Sequence, residues 1–575
     1  MQKNTPLFNQ ALEELYIQTP LVKRRCEETG EEFEITGTEV ELYKNLSLPL
    51  PHTAPYVRLR QARAHIGGLE LFPRETIEGK PTVSMYDPGS PAPLTSPQKW
   101  HSDEFDALKY GQLLDPMKPF FQQWTKFSNT VPRPSIITDP TSENCNWCLY
   151  DISFRNSYAT YGGVACDTVL YTDMSIRATH SVDVANIIDS EWSYESVSMF
   201  QCSQAHFSEN CTSCLNVYFC FGCVNLSDSF GCVNLKNKQY CFLNVQLTLE
   251  EYKKRISQID LSDAAVLEYW QQKTRELWQQ GYYMAEANLN SEESKGDGLV
   301  DCKEVSGISV FQSNRVYNAF DVSFAKDSCD IQTSSNLERC GNVISCTNGY
   351  ENKMCVSCHG CIDIEYSELC ISCEHCFGCI GLKRKKFCIF NVQYSEEEYW
   401  KKLDHIKTEM LKRGEYGKNF PYSTSLLAYN TSHADPFFPL SEERASSLGA
   451  RWYTFPPANI SNVLVIDSLP TKLSEVTPDI LNQQFLCPET CRPFRIVKPE
   501  LEFHQKMTIA LPRVHPVARR KNRYTRMLGL HLFDRSCKEC GTSILTRVSP
   551  ASQVSVTCST CYNQILLDDR MLGKI

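Results

Sequence analysis

The sequence lacks the features that assign a chain to a membrane, to secretion or to general binding of polyanions. No run of about 18 apolar residues occurs, so we expect no membrane-spanning helix. The amino-terminal stretch contains no apolar core of the signal-peptide type, and we expect a cytoplasmic protein. The net charge of the 575 residues is −10, so contact with nucleic acid requires a local basic patch.

Catalytic signatures are missing as well. There is no glycine-rich phosphate loop, no HExxH sequence and no nucleophile elbow. The 12 histidines are scattered along the chain. The sequence therefore favours a non-enzymatic role.

Cysteine, in contrast, is abundant. In a reducing compartment, the 29 cysteines are expected to be metal ligands or small buried side chains, not disulfides. Several of them recur at steps of nine residues, as in Cys214, Cys223, Cys232 and Cys241. This spacing is the first indication of the fold.

The chain also contains two internal duplications. Residues 230–256 align without gaps on 377–403, with 14 of 27 positions identical. The nine-residue cysteine step is present in both copies. A second duplication relates 26–58 to 487–519, near the two ends of the chain. The order is therefore end module, repeat block, helix, repeat block, helix, end module.

A nine-residue recurrence is typical of β-solenoids in which two nine-residue half-turns form one coil. We expect about five such coils in each block, with cysteine as a small apolar filler of the interior. Asn216, Asn225 and Asn234, each two residues after a cysteine, are expected to form a column of hydrogen-bonded amides. A set of short hairpins pinned by metals is the alternative structure.

These observations predict a mainly β protein with two parallel β-solenoid blocks, helical caps and related zinc-ribbon-like end modules, of which the carboxy-terminal one binds metal. The predicted segments are a degenerate zinc-ribbon-like module (1–85), a linker with short helices (86–140), the first solenoid (141–246), a helical connector (247–296), the second solenoid (297–394), a capping helix (395–414), an irregular linker (415–485) and a zinc-ribbon module (486–575).

The strongest chemical signal lies near the carboxy terminus. Cys537, Cys540, Cys558 and Cys561 form two CxxC pairs with the overall spacing C-x2-C-x17-C-x2-C. This spacing predicts a zinc ribbon, in which each pair sits on a tight turn and the intervening segments form paired strands. Four thiolates complete a tetrahedral shell, so the predicted Zn²⁺ is structural.

Cys487, Cys491 and His515 are candidates for a second, weaker metal site, in which the fourth ligand is not obvious and His504 is a candidate. The alternative is that these residues are packed in the core or bind no metal. In the amino-terminal copy of this module, Gly30 and Ala54 stand in the places of Cys491 and His515. We therefore expect that copy to be held by its core alone.

One stretch of the second repeat block supports a different kind of chemistry. Cys370, Cys373, Cys376 and Cys379 are separated by two residues each, close to the spacing of iron–sulfur ligands in ferredoxins. The first block keeps only Cys223 and Cys232 at the matching positions, which favours structural packing. An iron–sulfur redox protein remains the alternative function.

A basic segment precedes the predicted zinc ribbon. Basic residues beside zinc knuckles and an aromatic ring recur in nucleic-acid-binding proteins, and the alternative is a solvated helix face. The candidate RNA-contacting residues are Arg513, Arg519, Arg520, Lys521, Arg523, Tyr524 and Arg526.

The chain resembles a family of cysteine-rich-repeat, zinc-ribbon proteins from candidate-phyla bacteria. The motifs that carry the resemblance are FEIT…ELYKNLSLPLP, TVSMYDP, DALKYG, FGCVNLKNKQYCFLNVQ, FRIVKPELEFHQKM and the final CxxC pairs. The resemblance covers nearly the whole chain and implies architecture and compartment, while Gly30, Ala54 and His515 depart from the family pattern. The repeats and the predicted zinc site lead to the main hypothesis, a zinc-stabilised scaffold that presents its β-solenoid faces to a macromolecular partner such as RNA or a ribonucleoprotein.

Overall fold

The computed structural model of this protein describes all residues except 1–3, 19–22, 69, 153, 165–169, 172, 177–178, 287, 289, 304, 312–319, 324–331, 336–339, 341–345, 348–354 and 575. Part of the predicted second solenoid therefore lies outside the described residues.

Twelve α-helices occur in the part of the chain that is described. They are α1 Pro6–Gln18, α2 Gly37–Asn45, α3 Pro55–Arg63, α4 Pro97–His101, α5 Phe120–Ser128, α6 Leu249–Ile256, α7 Ala264–Trp278, α8 Glu396–Lys412, α9 Glu442–Ser447, α10 Lys498–Met507, α11 Pro516–Arg526 and α12 Ser559–Leu567. The helix expected after the second repeat block is α8, and its capping box of Ser395 and Glu398 is present. Among these helices, none combines the length and the apolar character that crossing a bilayer requires.

The chain divides into two compact units, and each unit combines one chain end with the repeat block farther away in sequence. Unit 1 contains the amino-terminal end and the second block, in residues 1–135, 286–453 and 530–532. Unit 2 contains the first block and the carboxy-terminal end, in residues 136–285, 454–529 and 533–575.

The first repeat block is a stack of short strands paired mostly in parallel, which we call the first stack. Its strands are Leu149–Ile152, Tyr161–Val164, Asp173–Ile176, Ala185–Ile188, Val197–Phe200, Ser203–His206, Leu215–Tyr218, Val224–Phe230, Lys236–Gln239, Cys241–Phe242 and the antiparallel Val245–Gln246. The second stack has strands Lys295–Val300, Ser306–Phe311, Phe320–Ser323, Gln332–Ser335, Cys346–Thr347, Cys355–Val356, Cys358–His359, Ile362–Glu365, Ser367–Glu368, Glu374–Phe377, Lys386–Ile389 and Val392–Gln393.

The stacking period of the first stack is 12 residues and not the 18 of a coil made from two nine-residue half-turns, so the expected period is wrong. Ser203 pairs with Leu215, and Leu215 pairs with Ser227. Backbone φ is positive, between 52° and 54°, at every third residue from Gln201 to Asn216. Each left-handed residue turns the chain, so one full turn of the stack has four sides with three positions on each. Asparagine and glycine tolerate this conformation best, which explains their frequency at the corners.

The cysteines follow this three-residue rhythm. Cys202, Cys211, Cys214 and Cys223 each come directly after a corner residue and are buried. A nine-residue step is therefore three of the four sides, and nine-spaced cysteines lie on neighbouring sides and do not stack. The expected column of Asn216, Asn225 and Asn234 is wrong for the same reason, because these residues are nine positions apart. The side-chain amide of Asn216 instead donates to the carboxylate of Asp228, one full turn of 12 residues later, at 2.6 Å.

The thiols also hydrogen-bond, so the description of them as apolar filler is incomplete. The N–H of Cys214 donates to Sγ of Cys202 at 3.4 Å, and this thiol donates to the carbonyl oxygen of Phe200 at 3.4 Å. Ser190 holds the same place one repeat earlier, and its hydroxyl accepts from the N–H of Cys202 at 3.0 Å. Side chains thus satisfy backbone N–H groups that the strand pairing leaves open.

The remaining strands form two-stranded pairs beside the stacks. The antiparallel hairpins are Lys23–Arg25 with Glu32–Glu34, Phe72–Glu75 with Pro81–Ser84, Phe485–Leu486 with Pro493–Phe494, and Phe533–Ser536 with Ser543–Thr546. Two parallel pairs join Leu94–Thr95 to Arg133–Pro134, and Tyr282–Met284 to Ser555–Thr557. The architecture is therefore one of many short strands in small sheets with helices among them.

Candidate metal centre

The tip of one hairpin in unit 2 supplies two of the four predicted ligands. Strands Phe533–Ser536 and Ser543–Thr546 pair in antiparallel register and lead into a tight turn. In this turn the N–H of Gly541 donates to the carbonyl of Cys537 at 3.0 Å, and Gly541 has a φ of 75°. The turn places Cys537 and Cys540 at the tip, as expected for the first CxxC pair.

The second pair lies at the start of a helix, which differs from the expected ribbon. Cys558 is the N-cap residue of α12, and its sulfur accepts the N–H of Cys561 at 3.4 Å. The two segments expected to pair with each other do not, because Ser543–Thr546 pairs within its hairpin and Ser555–Thr557 pairs with Tyr282–Met284. The centre is therefore built from a hairpin tip and a helix N-terminus.

The four sulfurs converge on one point. All four Sγ atoms lie within 4.8 Å of one another, and the Sγ atoms of Cys540 and Cys558 are 3.9 Å apart. A tetrahedral ion with metal–sulfur bonds of about 2.3 Å has sulfur–sulfur edges of about 3.8 Å. The donor set therefore fits one metal ion with a closed shell of four thiolates.

The local backbone favours the thiolate form of Cys537. Burial raises the pKa of this thiol, but the N–H groups of Cys540, Cys558 and Glu539 outweigh burial and lower the pKa to about 6. The hydrogen bond from Thr542 lowers the pKa of Cys540 as well. Because a metal binds thiolates, both effects promote binding at neutral pH.

Helix α12 joins this centre to the first stack. The hydroxyl of Tyr562, one residue after the last ligand, donates to the carbonyl of Gly222 at 3.0 Å. The hydroxyl oxygen of Tyr562 also accepts a hydrogen bond from the side-chain amide of Asn234 at 3.1 Å. After the helix, the amide of Asn244 donates to the carbonyl of Met571 at 2.9 Å. The sequence contained no local signal for these anchors.

The second predicted site does not assemble. Cys491 stands in its turn where Gly541 stands in the first site, with a positive φ and an N–H that donates to the carbonyl of Cys487. It therefore lies one residue beyond the position that Cys540 has in the first site. His515 is the N-cap of α11, and its Nδ1 accepts the N–H of Val517 at 3.1 Å. Among the described residues, Cys487, Cys491 and His515 do not form a group that can hold a metal.

His504, named as a further ligand, is buried, and its Nδ1 hydrogen-bonds to the carbonyl of Ile509 at 3.2 Å. Burial lowers the pKa of His504, and likewise that of His515, to about 3. Both rings are therefore neutral in the folded protein.

The cysteines of the alternative iron–sulfur site lie inside the second stack. Cys370 and Cys373 direct their thiols at backbone carbonyls, of Cys379 at 3.7 Å and of Leu382 at 3.3 Å. Cys376 and Cys379 are also buried, and the four do not form a convergent metal-binding group in the part of the chain that is described. Burial raises the pKa of Cys370, which disfavours the thiolate that a cluster needs.

The predicted RNA-contacting arginines are mostly buried. Arg523 is fully buried on α11 and contacts Asp183 at 2.8 Å and Glu195 at 2.9 Å. Arg519 contacts Glu500 at 2.7 Å and also pairs with Asp183. These guanidinium groups are neutralised within unit 2, so the prediction that they bind phosphates is wrong for this conformation.

The other basic candidates follow the same pattern, except at one position. Arg526 pairs with Glu195 at 3.0 Å, Arg513 donates to the carbonyl of Leu469 at 3.0 Å, and Arg520 and Tyr524 are buried. Lys521 is exposed. Sequence reasoning missed the acidic partners, although Asp183 and Glu195 occupy matching corners of successive turns of the first stack.

Comparisons with known proteins add nothing to this description. The chain matches no protein-family model, no curated protein and no solved structure.

Proposed function

We propose that this protein is a zinc-stabilised scaffold that presents the open sides of two wound strand stacks to a macromolecular partner. The observation that carries the proposal is the closed shell of four thiolates joined to a stack. A site with four protein ligands has no open position for water or substrate, so its metal supports structure. Zn²⁺ is the ion proposed because it favours tetrahedral thiolate coordination.

The regular register, which repeats after each full turn, supports the interpretation of both stacks as β-solenoids. Parallel pairing continues from one turn of the chain to the next, and side chains fill the interior. The buried thiols of this interior are suited to a reducing compartment, and no disulfide joins the cysteines that the structure describes. These thiols support the proposal of a cytoplasmic protein.

Two sides of the first stack are open to solvent and are the proposed contact surfaces. On one side, the corner residues Gln201, Ser213, Asn225 and Asn237 are exposed, one from each successive turn. On the adjoining side, the strand residue Leu215 is 50% exposed. Regular rows of exposed polar residues beside an exposed apolar residue are suited to an extended partner.

The proposal is tested by purifying the tagged protein from its native cells after nuclease treatment, with one variant for each open side. Leu215→Glu and Thr212→Glu change residues three positions apart on adjoining sides of the same turn, so each is the control for the other. We expect one variant to lose a specific partner that the other retains. If both variants retain the same partners as the unmodified protein, the open sides are not contact surfaces. A parallel purification without nuclease is the comparison, and a partner that is lost only when ribonuclease is added identifies RNA as part of the complex.

A further inference from the structure

Unit 1 contains a hairpin and helix that match the metal centre of unit 2 but have no cysteines. Strands Phe72–Glu75 and Pro81–Ser84 form the hairpin, and α4 follows. In its turn, the N–H of Gly79 donates to the carbonyl of Thr76 at 2.9 Å, and Gly79 has a φ of 72°. Gly541 has the same role in the metal centre, in a turn that is one residue longer.

The helix starts match as well. Ser96 is the N-cap of α4 and accepts the N–H of Lys99 at 3.2 Å, as Cys558 accepts the N–H of Cys561. Just before each helix, a short strand enters a parallel pair, Leu94–Thr95 in unit 1 and Ser555–Thr557 in unit 2. The correspondence therefore extends over the whole module.

An ion pair connects the two parts of the unit 1 module. Nζ of Lys99, in the first turn of α4, lies 2.7 Å from Oε1 of Glu78 in the hairpin turn. Lys99 occupies the position of Cys561, and Glu78 precedes the turn glycine as Cys540 does. The hydroxyl of Thr95 also donates to Oε1 of Glu78, at 3.2 Å. Hydrogen bonding by Lys99 lowers the pKa of Glu78 to about 2, so the pair is charged at neutral pH.

Both modules are anchored to the last turns of their stacks in the same way. In unit 1 the amide of Asn391 donates to the carbonyl of Ala107 at 3.0 Å, as Asn244 donates to Met571 in unit 2. Trp100 occupies the position of Tyr562 and is 3% exposed. Nζ of Lys383 lies 4.9 Å from the centre of the Trp100 ring and donates to the carbonyl of Ser102 at 3.2 Å. The anchors to the stack are therefore shared, and the two modules differ in what joins the hairpin to the helix, which is the ion pair of Lys99 and Glu78 in unit 1 and the four thiols in unit 2.

We propose that the metal is a clamp that only unit 2 requires, so that metal withdrawal releases the hairpin and α12 from the first stack while the module of unit 1 stays closed. This inference rests on the proposed metal site. Release of α12 exposes the side of the first stack that contains Gly222 and Asn234, both buried against Tyr562.

The test uses hydrogen–deuterium exchange of the full chain, loaded with zinc, before and after addition of a chelator. A thiol-free reductant keeps the cysteines reduced, and elemental analysis gives the metal content. We expect about one zinc per chain and, after its removal, at least about tenfold faster exchange in 533–567 and around Gly222 and Asn234. Exchange in 72–101 is expected to stay within about twofold.

Two variants complete the test. Cys540→Ser, with zinc present, is expected to reproduce the effect of the chelator on 533–567. The double variant Lys99→Met/Glu78→Gln is expected to accelerate hydrogen exchange in 72–101 and to leave the exchange rates in 533–567 unchanged. A chain that holds no zinc overturns both the proposed site and the clamp. A chain that loses zinc without faster exchange in 533–567, or with an equal change in 72–101, overturns the clamp alone.

Discussion

Replacement of Cys202 tests whether the stack cysteines act through hydrogen bonds or only by filling space. The Sγ atom of Cys202 accepts the N–H of Cys214 at 3.4 Å, and its single hydrogen has two carbonyl acceptors within reach, those of Phe200 and Cys211, both also at 3.4 Å. Alanine removes the acceptor and leaves a buried N–H without a partner. Serine keeps both functions, and Ser190 already performs them one repeat earlier.

The two substitutions have different expected costs. An unsatisfied buried N–H costs about 1–3 kcal/mol, and loss of the buried sulfur adds about 1 kcal/mol. Cys202→Ala is therefore expected to lower the free energy of unfolding of unit 2 by about 2–4 kcal/mol. Cys202→Ser is expected to cost about 1 kcal/mol or less, because the hydrogen bonds remain and only the size changes.

Pulsed alkylation of thiols in increasing urea, read by mass spectrometry, measures this difference. The buried Cys211 and Cys223 report the opening of the first stack. With a urea dependence of about 1–3 kcal/mol per molar, the midpoint for the alanine variant falls by about 1 M relative to the serine variant. If alanine is tolerated as well as serine or better, the hydrogen-bond argument is refuted and the cysteines are apolar filler.

Three further predictions concern buried charged and titratable groups. Arg523→Gln removes one of the two buried arginines that pair with Asp183, and Arg519 remains, so we expect the free energy of unfolding of unit 2 in urea to fall by about 1.5–3 kcal/mol, with no change in heparin retention of the folded protein. Lys407→Met in unit 1 leaves the buried carboxylate of Glu365 without its counter-charge at 3.0 Å, while the hydrogen bond from the Tyr416 hydroxyl remains, and we expect a loss of about 3–5 kcal/mol. Adding Glu365→Gln is expected to recover part of this loss, and a lack of recovery would contradict the pairing. Burial lowers the pKa of His206 to about 3, below the value of about 6.5 in the unfolded chain, so protonation favours unfolding as the pH falls through this window. His206→Phe is expected to reduce the pH dependence of the free energy of unfolding of unit 2, measured in urea, by up to about 1.4 kcal/mol per pH unit below pH 6, and an unchanged dependence would refute a neutral buried His206.

Some features follow from the sequence because they depend on local chemistry. The paired CxxC motifs identify the four cysteines whose sulfurs converge on one point, since a four-thiolate site needs only those residues at a suitable spacing. The capping box of Ser395 and Glu398 marks the start of α8, because its hydrogen bonds join residues three positions apart. The gapless duplication of 230–256 and 377–403 indicates two related blocks.

Other features depend on which distant segments meet, and only the tertiary structure decides them. The cysteine spacing is nine, but the stacking period is 12, because corners at every third residue make nine a sum of three sides and a full turn of four. The basic segment on α11 is buried because Asp183 and Glu195, which belong to a distant part of the sequence, neutralise Arg523. Charge counted along the sequence cannot reveal a partner that only packing brings into contact.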